Sequence, residues 1–353
     1  MNKIAVIGAG ATGHALAAIL ASKGHAVYLA DTEKYEEVLR KTKDKGEIEV
    51  HGTVKVTGRP VKVSTDIENA VKEAELIVCC SVSGRDEELG QLICKYIDDT
   101  KAILISAGNG ASIIYHKIFS ECGHEKTLVG EVAGNLFPCR LTEDGNVRIG
   151  LPTSAKGAIA FPTERTKELV ERFKGVWELN PCDSLLTAVF NGPNIICHGA
   201  GVVLNIAAIE KRGKEFNLFK DGLSPAVINL TDTLWEEKKK VYDAIGVEIP
   251  DPPRKMLEGV LDVEDKDYDS FREMDGPDSL NHRYISEDVP YLICFFVSIA
   301  RAMDVEIPTF EGIVRIVEKV TEKDYYAMGR TLENLGMSSM SKSELVQFFG
   351  KTE

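Results

Sequence analysis

Short, continuously apolar runs open this chain and recur through its first half, at residues 4–7, 26–30, 76–80, 102–105 and 127–129. Between most of them, over 14–23, 65–75 and 87–96, apolar residues fall at helical spacing. Strands that are apolar on both faces and separated by helices predict a parallel sheet covered on each side. Near 147–161 the pattern changes to two short extended segments around Leu151-Pro152-Thr153. A helix over 164–174 and one more short strand should close the sheet. From Asp183 the spacing becomes almost wholly helical. Asp183 or Ser184 can cap a long helix running to about Arg212, kinked near its start by Pro193 and ended by Gly213. Ser224-Pro225 pairs a cap with a proline at the first helical position, and that helix should stop at Gly246. After a proline-rich break at 249–253, Ser286 is expected to cap a helix through Met303. A long helical region over 309–335 and a short one over 341–348 follow. The expected architecture is α/β over 1–182, with a doubly wound parallel sheet, then an all-α domain over 183–353.

Composition supports two ordinary cores: 353 residues, 44% hydrophobic and 27% charged, with no low-complexity tract. The net charge of −13 argues against a nucleic-acid partner, since phosphate binding needs a basic face. Any anionic substrate must therefore be met by particular arginines rather than by the overall field. No apolar stretch reaches the roughly twenty residues of a membrane span, so no membrane partner is expected. The strand beginning at Lys3 leaves no room for a signal peptide. None of the eight cysteines sits in a C-x-x-C pair, so no metal site is expected. Cys79 and Cys80 read as small hydrophobes in a buried strand, and a reducing, cytoplasmic location fits best.

Gly8, Gly10 and Gly13 stand in G-x-G-x-x-G spacing directly after an apolar strand and at the opening of a helical pattern, alongside Thr12. Alone the spelling is weak; in this context it reads as a Rossmann dinucleotide site. Gly8 permits the tight turn, Gly10 lets the backbone approach a pyrophosphate, and Gly13 lets helix and strand pack closely. The second strand ends at Asp31, where a carboxylate accepts a ribose 2′-hydroxyl and repels a 2′-phosphate. No arginine follows until Arg40, so NAD(H) is favoured over NADP. The loop Ser106-Ala-Gly-Asn-Gly-Ala111 follows another strand and should face the nicotinamide end, with Asn109 a candidate substrate ligand. It serves equally well as a plain strand-to-helix turn.

Hydride transfer at a carbonyl or imine carbon needs a proton donor at the heteroatom, and histidine suits this near neutral pH. His198 lies in a helix rich in Gly and Ala, with Asn205 seven residues on and expected on the same face. A lone histidine on an apolar helix is usually a core residue; Asn205 and the small-residue surface bring the two readings level. A second cluster, Asn281-His-Arg-Tyr-Ile-Ser-Glu-Asp-Val-Pro290, precedes an apolar helix. On its residues alone, Glu287 and Asp288 decorate a helix start.

The run Arg283-Tyr-Ile-Ser-Glu-Asp-Val-Pro290 resembles the signature of the opine dehydrogenases, the octopine and nopaline dehydrogenase family. The resemblance spans nearly the whole chain: the glycine motif, Asn135-Leu-Phe-Pro-Cys-Arg140, the histidine helix and the 283–290 run. It implies a Rossmann domain and an α-helical domain with the active site between them. It further implies NAD(P)H-dependent reductive joining of an amino acid to a 2-oxo acid such as pyruvate. Carried over by residue, it makes His198 the acid/base, Asp288 its carboxylate partner and Arg283 the holder of a substrate carboxylate, with Asn205 nearby. Gly199 departs from the pattern, where many relatives carry proline. The expected partners are these two small molecules and, if the chain associates, a second copy in a homodimer. Two other readings remain open: a dehydrogenase of a hydroxy acid or 3-hydroxyacyl substrate, and a protein that senses NAD without turnover.

Overall fold

The first strand, β1 (Lys3–Ile7), shows why the opening runs are apolar throughout. Alternate residues of a strand point to opposite faces. Ile4 and Val6 join Leu16, Leu20 and Val27 in one core cluster, while Ala5 and Ile7 join Ile77, Ile103 and Val129 in the other. Such a strand has no face left for polar residues. The computed structural model describes residues 1–351, and the chain divides into two compact units, Met1–Cys182 and a second from Asp183 onward.

In the first unit β1 is followed by α1 (Ala11–Ser22), β2 (Ala26–Ala30), α2 (Glu36–Lys45), β3 (Ile48–Gly52), β4 (Val56–Gly58) and β5 (Lys62–Ser64). Then come α3 (Ile67–Glu73), β6 (Leu76–Cys79), α4 (Asp86–Ile93), β7 (Ala102–Ile105), α5 (Ala111–Glu121) and β8 (Leu128–Val132). The unit ends with β9 (Cys139–Leu141), β10 (Val147–Ile149), β11 (Lys156–Phe161), α6 (Thr166–Arg172) and β12 (Leu179–Pro181). Eight strands form the main sheet in the order β12-β11-β8-β7-β6-β1-β2-β5. Every neighbouring pair is parallel except β11 with β8, which is antiparallel. The order reverses at β1, whose neighbours are β2 and β6, so the crevice at their carboxyl ends is the ligand position of such sheets. A small second sheet, β4-β3-β10-β9, lies outside the expected pattern.

The cysteines depart at one place from the reducing setting expected for them. Cys94 and Cys122, the C-caps of α4 and α5, form a disulfide across 28 residues. Their spacing carries no sign of it, because the packing of α4 on α5 brings them together. Cys79, Cys80, Cys197 and Cys294 are free and buried.

The second unit is helical: α7 (Leu185–Phe190), α8 (Asn194–Val203), α9 (Ile206–Arg212), α10 (Pro225–Ile245), α11 (Arg254–Leu261) and α12 (Asp269–Arg272). Beyond these lie α13 (Arg283–Ser286), a π-helical turn (Val289–Ile293), α14 (Cys294–Ala302), α15 (Pro308–Thr321), α16 (Tyr325–Met328) and α17 (Lys342–Phe349). Phe190, Phe295, Phe296, Phe310 and Phe349 stack into its core. Several expected helices are broken. Ser184 caps α7, accepting from the Thr187 N–H, but the helix ends at Phe190; Pro193 restarts it, and a further break at Leu204 and Asn205 divides α8 from α9. Ser286 is not an N-cap: it ends α13, and its Oγ donates to the carbonyls of Asn281 and His282. His282 holds the cap position, its Nδ1 accepting from the Tyr284 N–H at 3.3 Å. The region 309–335 is two helices, α15 ending at the left-handed Glu322 and α16 following. Among the described residues no single helix is long and apolar enough to cross a membrane.

Candidate active site

At the end of β1, Gly8 has φ +126° and packs so closely on the end of β6 that an added Cβ would sit 2.7 Å from the Cys80 carbonyl oxygen. A Cβ on Gly13 would lie 1.8 Å from the Gly8 oxygen, so only glycine lets α1 come this near the strand. Gly10 is exposed with nothing within 4 Å of such a Cβ, and it begins α1 with no side-chain cap. That is an open backbone surface at a helix N-terminus, and it fits a pyrophosphate: bare amides, partial positive charge and room. Thr12, Ser106 and Asn135 join the surrounding loops, the Thr12 and Ser106 hydroxyls each donating to Asn135 Oδ1 at 3.4 and 3.3 Å.

Asp31 is at the end of β2 as expected, but not as a free acceptor. It is 1% exposed; Oδ2 accepts from the Ala9 N–H at 2.7 Å and from Arg85 at 3.3 Å. Oδ1 accepts from the Thr32 N–H at 2.7 Å and from Arg85 at 2.9 Å. A carboxylate has about four acceptor positions, and these bonds fill them. Sequence reasoning missed Arg85 because it sought a cation shortly after Asp31, whereas this one arrives 54 residues on, from the loop between β6 and α4. A glycine before it, Gly84 with φ +91°, turns that loop.

The loop before α5 is bent by left-handed Ala107 and Asn109, and Asn109 Nδ2 donates to Ser83 Oγ at 3.0 Å. Glu131 on β8, fully buried, accepts from the N–H groups of Gly110 and Ser112 at 3.0 and 2.9 Å and so holds this loop. Glu131 carried no signal in the sequence beyond being an acid inside an apolar strand.

In the second unit α8 carries His198 against α13. His198 Nδ1 lies 2.6 Å from Asp288 Oδ2, with both residues buried. Asp288 stands at the junction between α13 and the π-helical turn, a place that redirects the chain after Glu287. Tyr284 of α13 stacks on the imidazole, ring centres 3.5 Å apart and planes at 19°. Tyr284 and Asp288 thus fix the plane of the imidazole, and the carboxylate takes one of its two nitrogens. Arg283 Nε donates to Glu287 Oε2 at 3.0 Å; Glu287 is buried and Arg283 about one-third exposed.

Two expectations about α8 change. Asn205 lies past the helix end, and its Nδ2 donates to the carbonyls of Gly201 and Gly222 at 2.8 and 3.0 Å. It therefore holds backbone, and its seven-residue spacing from His198 is not two regular turns. The small residues serve helix packing: a Cβ on Gly199 would meet Ile293 at 3.2 Å, and one on Gly201 would meet Leu218 at 2.9 Å. Lys238 of α10, which faces Cys197 of α8, is 2% exposed, its Nζ 5.1 Å from the Tyr242 ring centre. Burial pushes the Lys238 ammonium down to about 7.

Residues 181–321 match the α-helical domain of NAD/NADP octopine/nopaline dehydrogenase, and residues 3–134 match the N-terminus of NAD-dependent glycerol-3-phosphate dehydrogenase. An opine dehydrogenase of Arthrobacter sp. (strain 1C) is 26% identical over 351 residues, covering 96% of both chains. Vitopine synthase of Allorhizobium ampelinum is 22% identical over 98% of both. Among solved structures, octopine dehydrogenase with NADH and pyruvate has a TM-score of 0.73 at 18% identity, over the whole of each chain. D-mandelate dehydrogenase with NADH has a TM-score of 0.64 at 16% identity, covering 90% of this chain and 98% of that one.

Proposed function

Because the chain belongs with the opine dehydrogenases as an NAD-dependent oxidoreductase, we propose that it condenses an amino acid with a 2-oxo acid and reduces the resulting imine to a secondary amine. The observation that carries this reading is the buried pair His198 and Asp288 at 2.6 Å, inside the region matched to the octopine/nopaline dehydrogenase helical domain. The similar structures of octopine dehydrogenase hold L-arginine or pyruvate with NADH, which supports an amine and an oxo acid as the substrate classes.

Asp288 fixes the tautomer of His198 and can offset the charge of an imidazolium, so that a proton carried at Nε2 can be transferred. Delivered to the carbonyl oxygen during condensation, that proton lets water leave and the C=N bond form. The bound cofactor supplies the hydride. In the oxidative direction His198 takes the proton back, with Asp288 offsetting the charge. Arg283, partly exposed beside Glu287, would orient a substrate carboxylate through paired hydrogen bonds. The glycines at α1 and the end of β1 would hold the pyrophosphate.

The test is NADH oxidation over a matrix of amino acids against pyruvate, glyoxylate and 2-oxoglutarate. Turnover should require both an amine and an oxo acid, and the product mass should equal their condensation product plus two hydrogens. NADH oxidation by an oxo acid alone, at the same rate without amine, would instead make the chain a hydroxy-acid dehydrogenase.

A further inference from the structure

With all four acceptor positions of Asp31 filled, something else must meet the adenosine ribose at the end of β2. The group beside it is Arg85, anchored on one side by Asp31 and lying over Tyr35, its guanidinium carbon 4.6 Å from the ring centre. Four of its five N–H groups are engaged, two with Asp31, one with Glu88 and one with Thr32 Oγ1. Glu88 is itself more than half exposed and holds Arg85 at a long 3.3 Å. The bidentate pairing to Asp31 is thus the bond that decides where this cation points.

We infer that Arg85 is the residue that reads the 2′-position of the adenosine ribose, and that Asp31 acts through it by holding the guanidinium to itself. With the pair intact, Arg85 is a neutralised donor, able to accept a ribose hydroxyl as partner but not to bind a dianion strongly. Remove the charge of Asp31 and the same guanidinium becomes a fork for a 2′-phosphate. The cofactor preference of this chain then resides in an interaction between two residues 54 apart, not in one acid at a strand end. The inference rests on nicotinamide dependence alone and not on the substrates, so it stands or falls separately from the opine reading.

The experiment is a double-mutant cycle read by binding. Dissociation constants for NADH, NADPH, 5′-ADP and 2′,5′-ADP are measured by cofactor fluorescence and calorimetry on wild type, Asp31→Asn, Arg85→Met and the double variant. Asparagine keeps a carbonyl oxygen for the Ala9 N–H, so the glycine turn retains its anchor. Asp31→Asn should tighten NADPH and 2′,5′-ADP tenfold or more while NADH and 5′-ADP change by a few-fold. The gain should vanish in the double variant. In Arg85→Met, where Asp31 is left charged and unpaired, NADPH should weaken at least tenfold relative to NADH. Three results would overturn the inference: a gain that persists without Arg85, NADPH binding unmoved in an Asp31→Asn protein that still binds NADH, or an Arg85→Met protein with the wild-type ratio of the two dissociation constants. Should Asp31→Asn not fold, the Arg85→Met ratio decides alone.

Discussion

His198 has one ring nitrogen engaged by Asp288 and its face covered by Tyr284, so its tautomer and its plane are both set by neighbours within one unit. Two changes at this pair should therefore behave differently from changes elsewhere. His198→Ala should lower kcat by roughly 10²–10⁴, the usual scale for a positioned acid or base. Asp288→Asn should be comparably severe, since it removes the charge and can present a donor where Nδ1–H also donates. Neither should weaken NADH binding, because neither residue belongs to the glycine turn that would hold the pyrophosphate. Near-wild-type turnover in either variant would remove the pair from the chemistry. Arg283 gives a separate expectation. Lysine keeps its charge but cannot reproduce two parallel hydrogen bonds, so Arg283→Lys should raise KM for a carboxylate substrate about tenfold or more. Varying oxo acid and amino acid separately shows which carboxylate is held; an unchanged KM for both would leave Arg283 as only the ion-pair partner of Glu287.

At the level of elements, what was legible and what was not follow from the range of the forces involved. The strands 3–7, 26–30 and 102–105 are readable residue by residue, because burial on both faces leaves an unmistakable apolar run. The cap and stop of α10, Ser224-Pro225 and Gly246, are equally local, as is the role of the glycines after β1. The long helix expected from residue 184 to 212 is not continuous: Asn191-Gly192-Pro193 stops it rather than merely kinking it, and the break at 204–205 comes from where the chain must pack rather than from its apolar spacing. Ser286 is spelled like an N-cap, yet a competing cap four residues earlier, His282, and Pro290, which cannot donate to a ladder, turn the segment into α13 and a π-helical turn. That irregular junction is where Asp288 meets His198, so the helix start one would draw from the sequence hides the geometry of the site. Arg85, Glu131 and the Cys94–Cys122 bridge were invisible for one shared reason: each partner lies many residues away, on a different strand or helix, and only tertiary packing brings the two together.

For the molecule as a whole, buried charge makes stability a function of pH. Lys238 falls from an ordinary 10.5 to about 7 on burial, so between those values the unfolded chain holds a proton that the folded chain does not. Stability must then rise with pH across that window. Lys238→Met should be more stable than wild type at pH 7, on the order of 2–5 kcal/mol at about 1.4 kcal/mol per pKa unit, with its advantage shrinking as pH rises. Urea midpoints from pH 7 to about 8.5 are the measurement, because above the ordinary thiol range the buried Cys79, Cys80 and Cys197, all raised by burial, push the slope the other way. Equal slopes in wild type and variant would show that Lys238 is charged in the fold. The buried carboxyl group of Glu131 carries a further consequence. Accepting from the N–H groups at the start of α5, its side chain is an acceptor built into the protein at one of the helix starts that follow a strand and a glycine turn in this sheet. A mobile anion has no vacancy there. The start of α1, which has no side-chain cap, keeps its amides for a phosphate-bearing guest, while the covalently attached tenant at α5 closes that start to one.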